Sequence, residues 1–262
     1  MGVLDLTNTK QLILDGPDGR HVLGARTLIF AIDDTGHEDF ADPNYRVFGL
    51  GGCGCVVEDY ERLIALPWNY MCATYFKGVP RPMHAAGLRV PTAEQLDAFR
   101  HFFEKFQFSR IACTVSHGAK VATDQALIQV MGGCLLNRMV DVAKWYAFDR
   151  VFVLIEASER LHVRIAQSLA ERGMMLDGKH IPIELAVLPK ALSFPALEVA
   201  DFIVHTAGAQ TRARGSTPVR KDFEIIFRNV DKRLVSFIEI TQIEDAQQGV
   251  AGATPPLRGG AA

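Results

Sequence analysis

From Thr27 to Ile32 the chain runs Thr-Leu-Ile-Phe-Ala-Ile without a charge, turns acidic at Asp33 and Asp34, and reaches Gly36. A short run of β-branched and large apolar residues closed by glycine predicts a buried strand. Residues 151–155 repeat the pattern as Val-Phe-Val-Leu-Ile and end on Glu156. Further strands are expected over 46–57, 110–116 and 181–188 and within 223–242. In the first of these, Gly49, Gly51, Gly52 and Gly54 leave little side chain, so a backbone or bulky neighbour should approach closely. Residues 11–15 and 20–23 flank Gly16-Pro17-Asp18-Gly19 and predict a small amino-terminal hairpin.

Between these strands the period changes to that of helices. Thr92-Ala93-Glu94-Gln95 forms a capping box, which should start a helix running to about Gln107. Helices are also expected over 58–76, where Pro67 should break or kink the run, over 122–144, from an N-cap at Ser158 to Arg172, and over 195–212. Residues 77–91, with Pro80, Pro82 and Pro91, form a loop that carries His84. Strands alternating with helices predict one layered α/β domain through residue 245. The Gly-, Ala- and Pro-rich stretch 246–262 has little to bury and is expected to be a disordered tail.

Composition narrows the function classes. At 262 residues, 48% hydrophobic and 22% charged, the chain has the ordinary globular balance. A formal net charge of −2 excludes a generally basic nucleic-acid coat but leaves room for a local patch. Neither a signal-peptide core near Met1 nor a run of about 18 apolar residues is present, so a cytoplasmic protein without membrane association is expected. The five cysteines follow no metal-finger spacing. Cys53-Gly54-Cys55 is too short for the usual ligand hook and, on a strand, puts both thiols on one face. A Gly-x-Ser-x-Gly elbow is absent, and the Gly49–Gly54 run lacks the Lys-Ser/Thr ending of a phosphate loop. These features disfavour a nucleophilic hydrolase and a P-loop enzyme.

The candidate chemistry lies in carboxylates. Asp33, Asp34 and Glu156 close two of the most apolar strands, and ligands of open α/β sheets sit outside the carboxyl ends of strands. Glu198, Asp201 and His205 follow at i, i+3 and i+7 and share one face of the helix 195–212. Oxygen ligands from separate elements suit a hard cation such as Mg²⁺ or Mn²⁺. The bland alternatives are a turn opened by the Asp pair and the solvated face of an amphipathic helix. His84 on its loop could swing over the same edge as a ligand or general acid. Arg212 and Arg214 begin a basic stretch continued by Arg220, Lys221, Arg228, Lys232 and Arg233, and Lys120 adds a cation after the strand 110–116. Such residues can contact phosphates, or can be a solvated surface neutralised by Asp222, Glu224 and Asp231.

Phe30-Ala31-Ile32-Asp33-Asp34-Thr35-Gly36 resembles the hydrophobic–Asp-Glu-Ser-Gly opening of the domain of unknown function 3800 family. Leu197-Glu198-Val199-Ala200-Asp201 is similar to that family's late Leu-Gln-Leu-Ala-Asp helix, with Ser193 at the place of a preceding Ser, and 153–156 is similar to its middle strand. The resemblance implies a ribonuclease-H-like mixed β-sheet flanked by helices. It also implies that Asp33, Glu156 and Asp201 are metal-binding carboxylates of a nuclease acting on nucleic acid. Such enzymes use two metal ions to activate a water and to stabilise the leaving oxygen of a phosphodiester. Pro82 stands where the family has a Glu two residues before the His, and Glu198 stands for Gln. Glu198 could replace that lost charge from a different element, and Asp34 stands for the family's usual Glu, so both are further candidate ligands. The competing expectation is a catalytically degenerate module of the same fold that binds nucleic acid or protein.

Overall fold

The computed structural model of the protein describes residues 11–37, 47–88, 90–116, 123–158, 161–214, 225–228 and 230–240. Lys120, Arg220, Lys221 and the expected tail 246–262 lie outside the described residues, as does the side chain of Arg214.

A mixed six-stranded sheet forms the middle layer. β3 (Thr27–Gly36), β4 (Val47–Val56) and β5 (Ser109–Ser116) make an antiparallel meander. β6 (Arg150–Glu156) joins β3 in parallel, β9 (Ile183–Leu188) joins β6 in parallel, and β10 (Val235–Ile240) extends the other edge in parallel with β5. The order is β10-β5-β4-β3-β6-β9. The expected hairpin is present as β1 (Gln11–Gly16) and β2 (Gly19–Gly24). A second hairpin, β7 (Met174–Leu176) and β8 (Lys179–Ile181), turns through Asp177 and Gly178, both in the left-handed region at φ 49° and 75°. Its Asp-Gly pair is a strong hairpin signal that the periodicity reading passed over.

Both faces of the sheet are buried, which explains strands that read as unbroken apolar runs. On one face Ile29, Ala31, Cys53, Phe152 and Leu154 pack with α6 (Pro195–Arg214), α2 (Leu66–Tyr75) and α3 (Ala93–Lys105). On the other, Leu28, Phe30, Ile32, Val151 and Val153 pack under α4 (Asp124–Ala143) and α5 (His162–Ala170). By length and mean hydropathy, 1.3 over Gln125–Ala143, α4 is apolar enough to cross a bilayer. The apolar-run criterion did not single it out because Gln, Asn, Arg and Asp interrupt it. Here 61% of that window is buried inside the protein.

Pro67 does not break its helix. α1 (Val57–Tyr60) leads into a π-helical turn, Glu61–Ala65, and then into α2, with the proline in the first turn. The wide turn lets the Leu66 N–H donate to Glu61 O, five residues back, and the proline's missing N–H falls where α2 starts afresh. The Thr92 box forms as expected, Gln95 N–H donating to Thr92 Oγ1 at 3.2 Å and Thr92 N–H to Gln95 Oε1 at 2.9 Å. The Ser158 hydroxyl accepts from the Leu161 and His162 N–H groups at 3.1 and 3.2 Å, so it caps α5 from a short distance upstream.

Glycines set how closely α6 lies on the sheet. A Cβ at Gly52 would stand 1.8 Å from Ala31 O and 3.2 Å from Ala200 Cβ, and one at Gly208 would stand 2.7 Å from Thr35 Cγ2. The first would strike backbone and the second a buried β-branched side chain, so neither neighbour can yield cheaply.

All five cysteines are free and buried, and Cys53 and Cys55 share the α6 face. Burial pushes the Cys53 thiol up to about 12, so at neutral pH it remains a protonated, weakly donating group bonded to Ala196 O at 3.3 Å.

Candidate carboxylate site

The register of β3 and β6 brings two of the candidate acids side by side. Ile32 pairs with Ile155, so the next step along these parallel strands sets Asp33 beside Glu156. Side chains alternate along a strand. Asp33 follows Ile29 and Ala31 onto the α6 face, and Glu156 follows Phe152 and Leu154 onto the same face. Asp201 reaches that place from α6, which crosses β3, β4 and β5.

The electrostatics agree with this convergence. The Asp33 carboxyl is held well above the ordinary carboxylate range, first by burial and then by the negative charges of Asp201, Asp34 and Glu156; the Asp34 N–H, donating to Asp33 Oδ1 at 2.8 Å, opposes the shift. Asp201 Oδ2 accepts the Ala85 N–H at 2.6 Å, and His84 Nδ1 lies 4.0 Å from the same oxygen. The part of the proline-rich loop around His84 and Ala85 therefore lies against Asp201.

Two expected ligands stand elsewhere. Asp34 follows Phe30 and Ile32 and so alternates toward the α4 face, away from Asp201. Glu198 is 3% exposed, and its oxygens are engaged by Arg81 and by Trp68, whose Nε1 donates to Oε2 at 3.0 Å. It compensates Arg81 rather than replacing the acid absent at Pro82. The polar stripe of α6 is not a solvated face either: Glu198 is buried and Asp201 and His205 are half-buried, because α6 is covered on nearly every side. Arg212, also half-buried, lies eleven residues beyond Asp201, about 16 Å along the helix axis. Burial lowers its pKa from the usual arginine value.

Asp33, Glu156 and Asp201 are all-oxygen donors, the chemistry that hard divalent cations select. Among the described residues, no group of three or more His, Cys, Asp or Glu side chains is placed to hold a metal ion. The acids thus share a site and feel one another's charge without forming a cage.

This arrangement makes a stability prediction. A carboxyl whose folded-state pKa is raised contributes stability that is present below the ordinary carboxylate range and lost as pH rises through the folded value. At neutral pH Asp33 is therefore a liability when no cation is bound. In chelator, Asp33→Asn is expected to raise the melting temperature at pH 7 by roughly 2–4 °C, the response of a domain this size to about 1 kcal/mol. The advantage should shrink as pH falls through the raised folded value toward the ordinary carboxylate range, where the unfolded chain's Asp33 is protonated as well. Thermal melts across that range check it; a variant less stable than wild type at pH 7 contradicts the clustering.

No family model matches the chain, and no curated protein does.

Proposed function

We propose that the protein is a divalent-metal-dependent nuclease of ribonuclease-H-like type, a member of the domain of unknown function 3800 family, acting on nucleic acid in the cytoplasm. The observation that carries this reading is the meeting of Asp33, Glu156 and Asp201, from two adjacent strand ends and one helix, with the Asp33 carboxyl raised first by burial and then by the charges of Asp201, Asp34 and Glu156. Support for the fold comes from the antiparallel meander β5-β4-β3 continued by the parallel strands β6 and β9.

Asp33, Glu156 and Asp201 would hold Mg²⁺ or Mn²⁺. When bound, the metal would polarise the phosphodiester and lower the pKa of the attacking water. The protein's own part is positioning and charge: the carboxylates fix the cation at the sheet edge, and His84, beside Asp201, can hold or deliver a proton at its ring nitrogen. Phosphate affinity would come from cations such as Arg212, with Arg214 and Lys120 as further candidates.

A second reading is favoured by the absence, among the described residues, of a group placed to hold a metal ion: a module that keeps the fold, binds nucleic acid or protein and does not cleave. Incubation of the full chain with single- and double-stranded DNA and RNA separates the two. Cleavage is expected with Mn²⁺ or Mg²⁺ and none in chelator. Salt-sensitive binding without cleavage under either ion selects the module.

A further inference from the structure

Glu198 and Asp201 stand one turn apart on α6, and both bind the segment 76–92 that joins α2 to α3. At the Glu198 rung, Arg81 Nε and Nη2 lie 2.8 and 2.7 Å from Oε1, and the same guanidinium donates to Asn69 Oδ1 at 3.2 Å. The opposite oxygen takes the Trp68 indole, and Trp68 is fully buried against the edges of Phe99, Phe102 and Phe202. At the Asp201 rung the same segment returns the Ala85 N–H and presents His84. Between the rungs Met83 is sunk into the core, as is Ala85 at the second rung.

We propose that the Arg81–Glu198 pair is a positioning latch. It fixes the loop in the register that brings the Ala85 N–H and His84 to Asp201, and through that hydrogen bond it sets the orientation of the Asp201 carboxylate beside Asp33 and Glu156. Neither Arg81 nor Glu198 touches the reacting atoms.

Three physical arguments carry it. A carboxylate as enclosed as Glu198 is costly unless fully paired, and a well-packed apolar pair would serve stability as well. The geometry therefore points to a conformational role for an ion pair at this place. The guanidinium spans two α2–α6 partners with a planar fork, which defines a direction as a lysine would not. Lastly, partners that orient a metal-binding carboxylate typically change metal affinity 10–100-fold when removed.

The role assigned to Asp201 rests on the proposed metal site; the holding of the loop does not. The experiment therefore reads both separately on the full chain. The double variant Arg81→Met with Glu198→Gln removes both charges together and keeps an acceptor for Trp68, so no buried charge is stranded. Hydrogen exchange of the 81–88 amides is expected to rise by at least about tenfold while β3 and α6 keep wild-type protection. The dissociation constant for Mn²⁺, measured by calorimetry, is expected to weaken by about tenfold, with Arg81→Lys falling between wild type and the double variant on both readouts. Wild-type exchange across 81–88 overturns the latch, and faster exchange with unchanged Mn²⁺ affinity overturns its positioning role. If wild-type protein binds no Mn²⁺, the nuclease reading fails while the exchange measurement still decides the latch. Should the double variant not fold, Arg81→Lys alone decides: wild-type values on exchange and affinity overturn the proposal.

Discussion

Replacing Asp33 by Asn is expected to lower metal-dependent cleavage by about 100-fold or more, the scale seen when one preorganised electrostatic group is removed from an active site. Nucleic-acid affinity should stay within about twofold of wild type, since it depends on cations contacting phosphates. The matched control is Asp34→Asn. Asp34 is adjacent in sequence and carries the same side chain, yet alternation sends it toward the α4 face, so its loss should change turnover by less than about threefold. Single-turnover cleavage with filter binding at fixed salt measures both quantities. Equal losses at 33 and 34 would mean that overall charge at the strand end, not a directed carboxylate, supports activity.

The largest stability effect is expected at Arg110. This side chain is fully buried on β5 between Phe103 and Phe108, with its guanidinium carbon 5.1 and 5.0 Å from their ring centres. It donates to the carbonyls of Phe103 and Ile226, and to that of Phe106 at 3.3 Å. Phe103 and Phe106 lie at the carboxyl end of α3, so the cation sits on the negative pole of that helix. Burial pulls the guanidinium down to about 9, which leaves it charged at neutral pH. Arg110→Met fills much of the volume but leaves buried carbonyls without donors. The expected cost is roughly 3–5 kcal/mol, the range for breaking buried charged networks. That corresponds to a fall of about 10 °C in melting temperature, with Arg110→Lys recovering part of it. Chemical denaturation of the three proteins checks this; a loss below about 1 kcal/mol in Arg110→Met would show that those carbonyls find other donors.

Strands and helices were legible where a single pattern dominated. The runs 27–32 and 151–155 lie in β3 and β6, and the Thr92 box starts α3, because burial on both faces and a local cap each leave a direct signature. The late strand was legible only as a region, since its parallel pairing with β5 joins residues more than a hundred positions apart. At the site, Asp33, Glu156 and Asp201 could be singled out because acids end apolar runs or interrupt a mostly apolar helix. Their assignment as ligands rests on resemblance. Glu198 was misjudged for a definite reason: helical spacing tells that two carboxylates share a stripe, but not which faces the sheet and which faces α2. The Arg81 and Trp68 partners that decide the matter are 117 and 130 residues away. Asp34 differs in that the period of two along a strand already separates it from Asp33, so that distinction was available in the sequence.

The glycines under α6 give the site an unexpected kind of control. Asp33 belongs to the sheet and Asp201 to the helix, so the gap between those acids is fixed where Gly52 and Gly208 let the two layers touch. A methyl group at 208 would act as a shim, lifting one carboxylate relative to the other without altering any charge or donor, whereas one at 52 would first strike the Ala31 carbonyl within the sheet. The tuning of this centre is thus partly written in residues that have no functional group at all. Random mutagenesis scored for altered cation response should return position 208 together with the acids themselves.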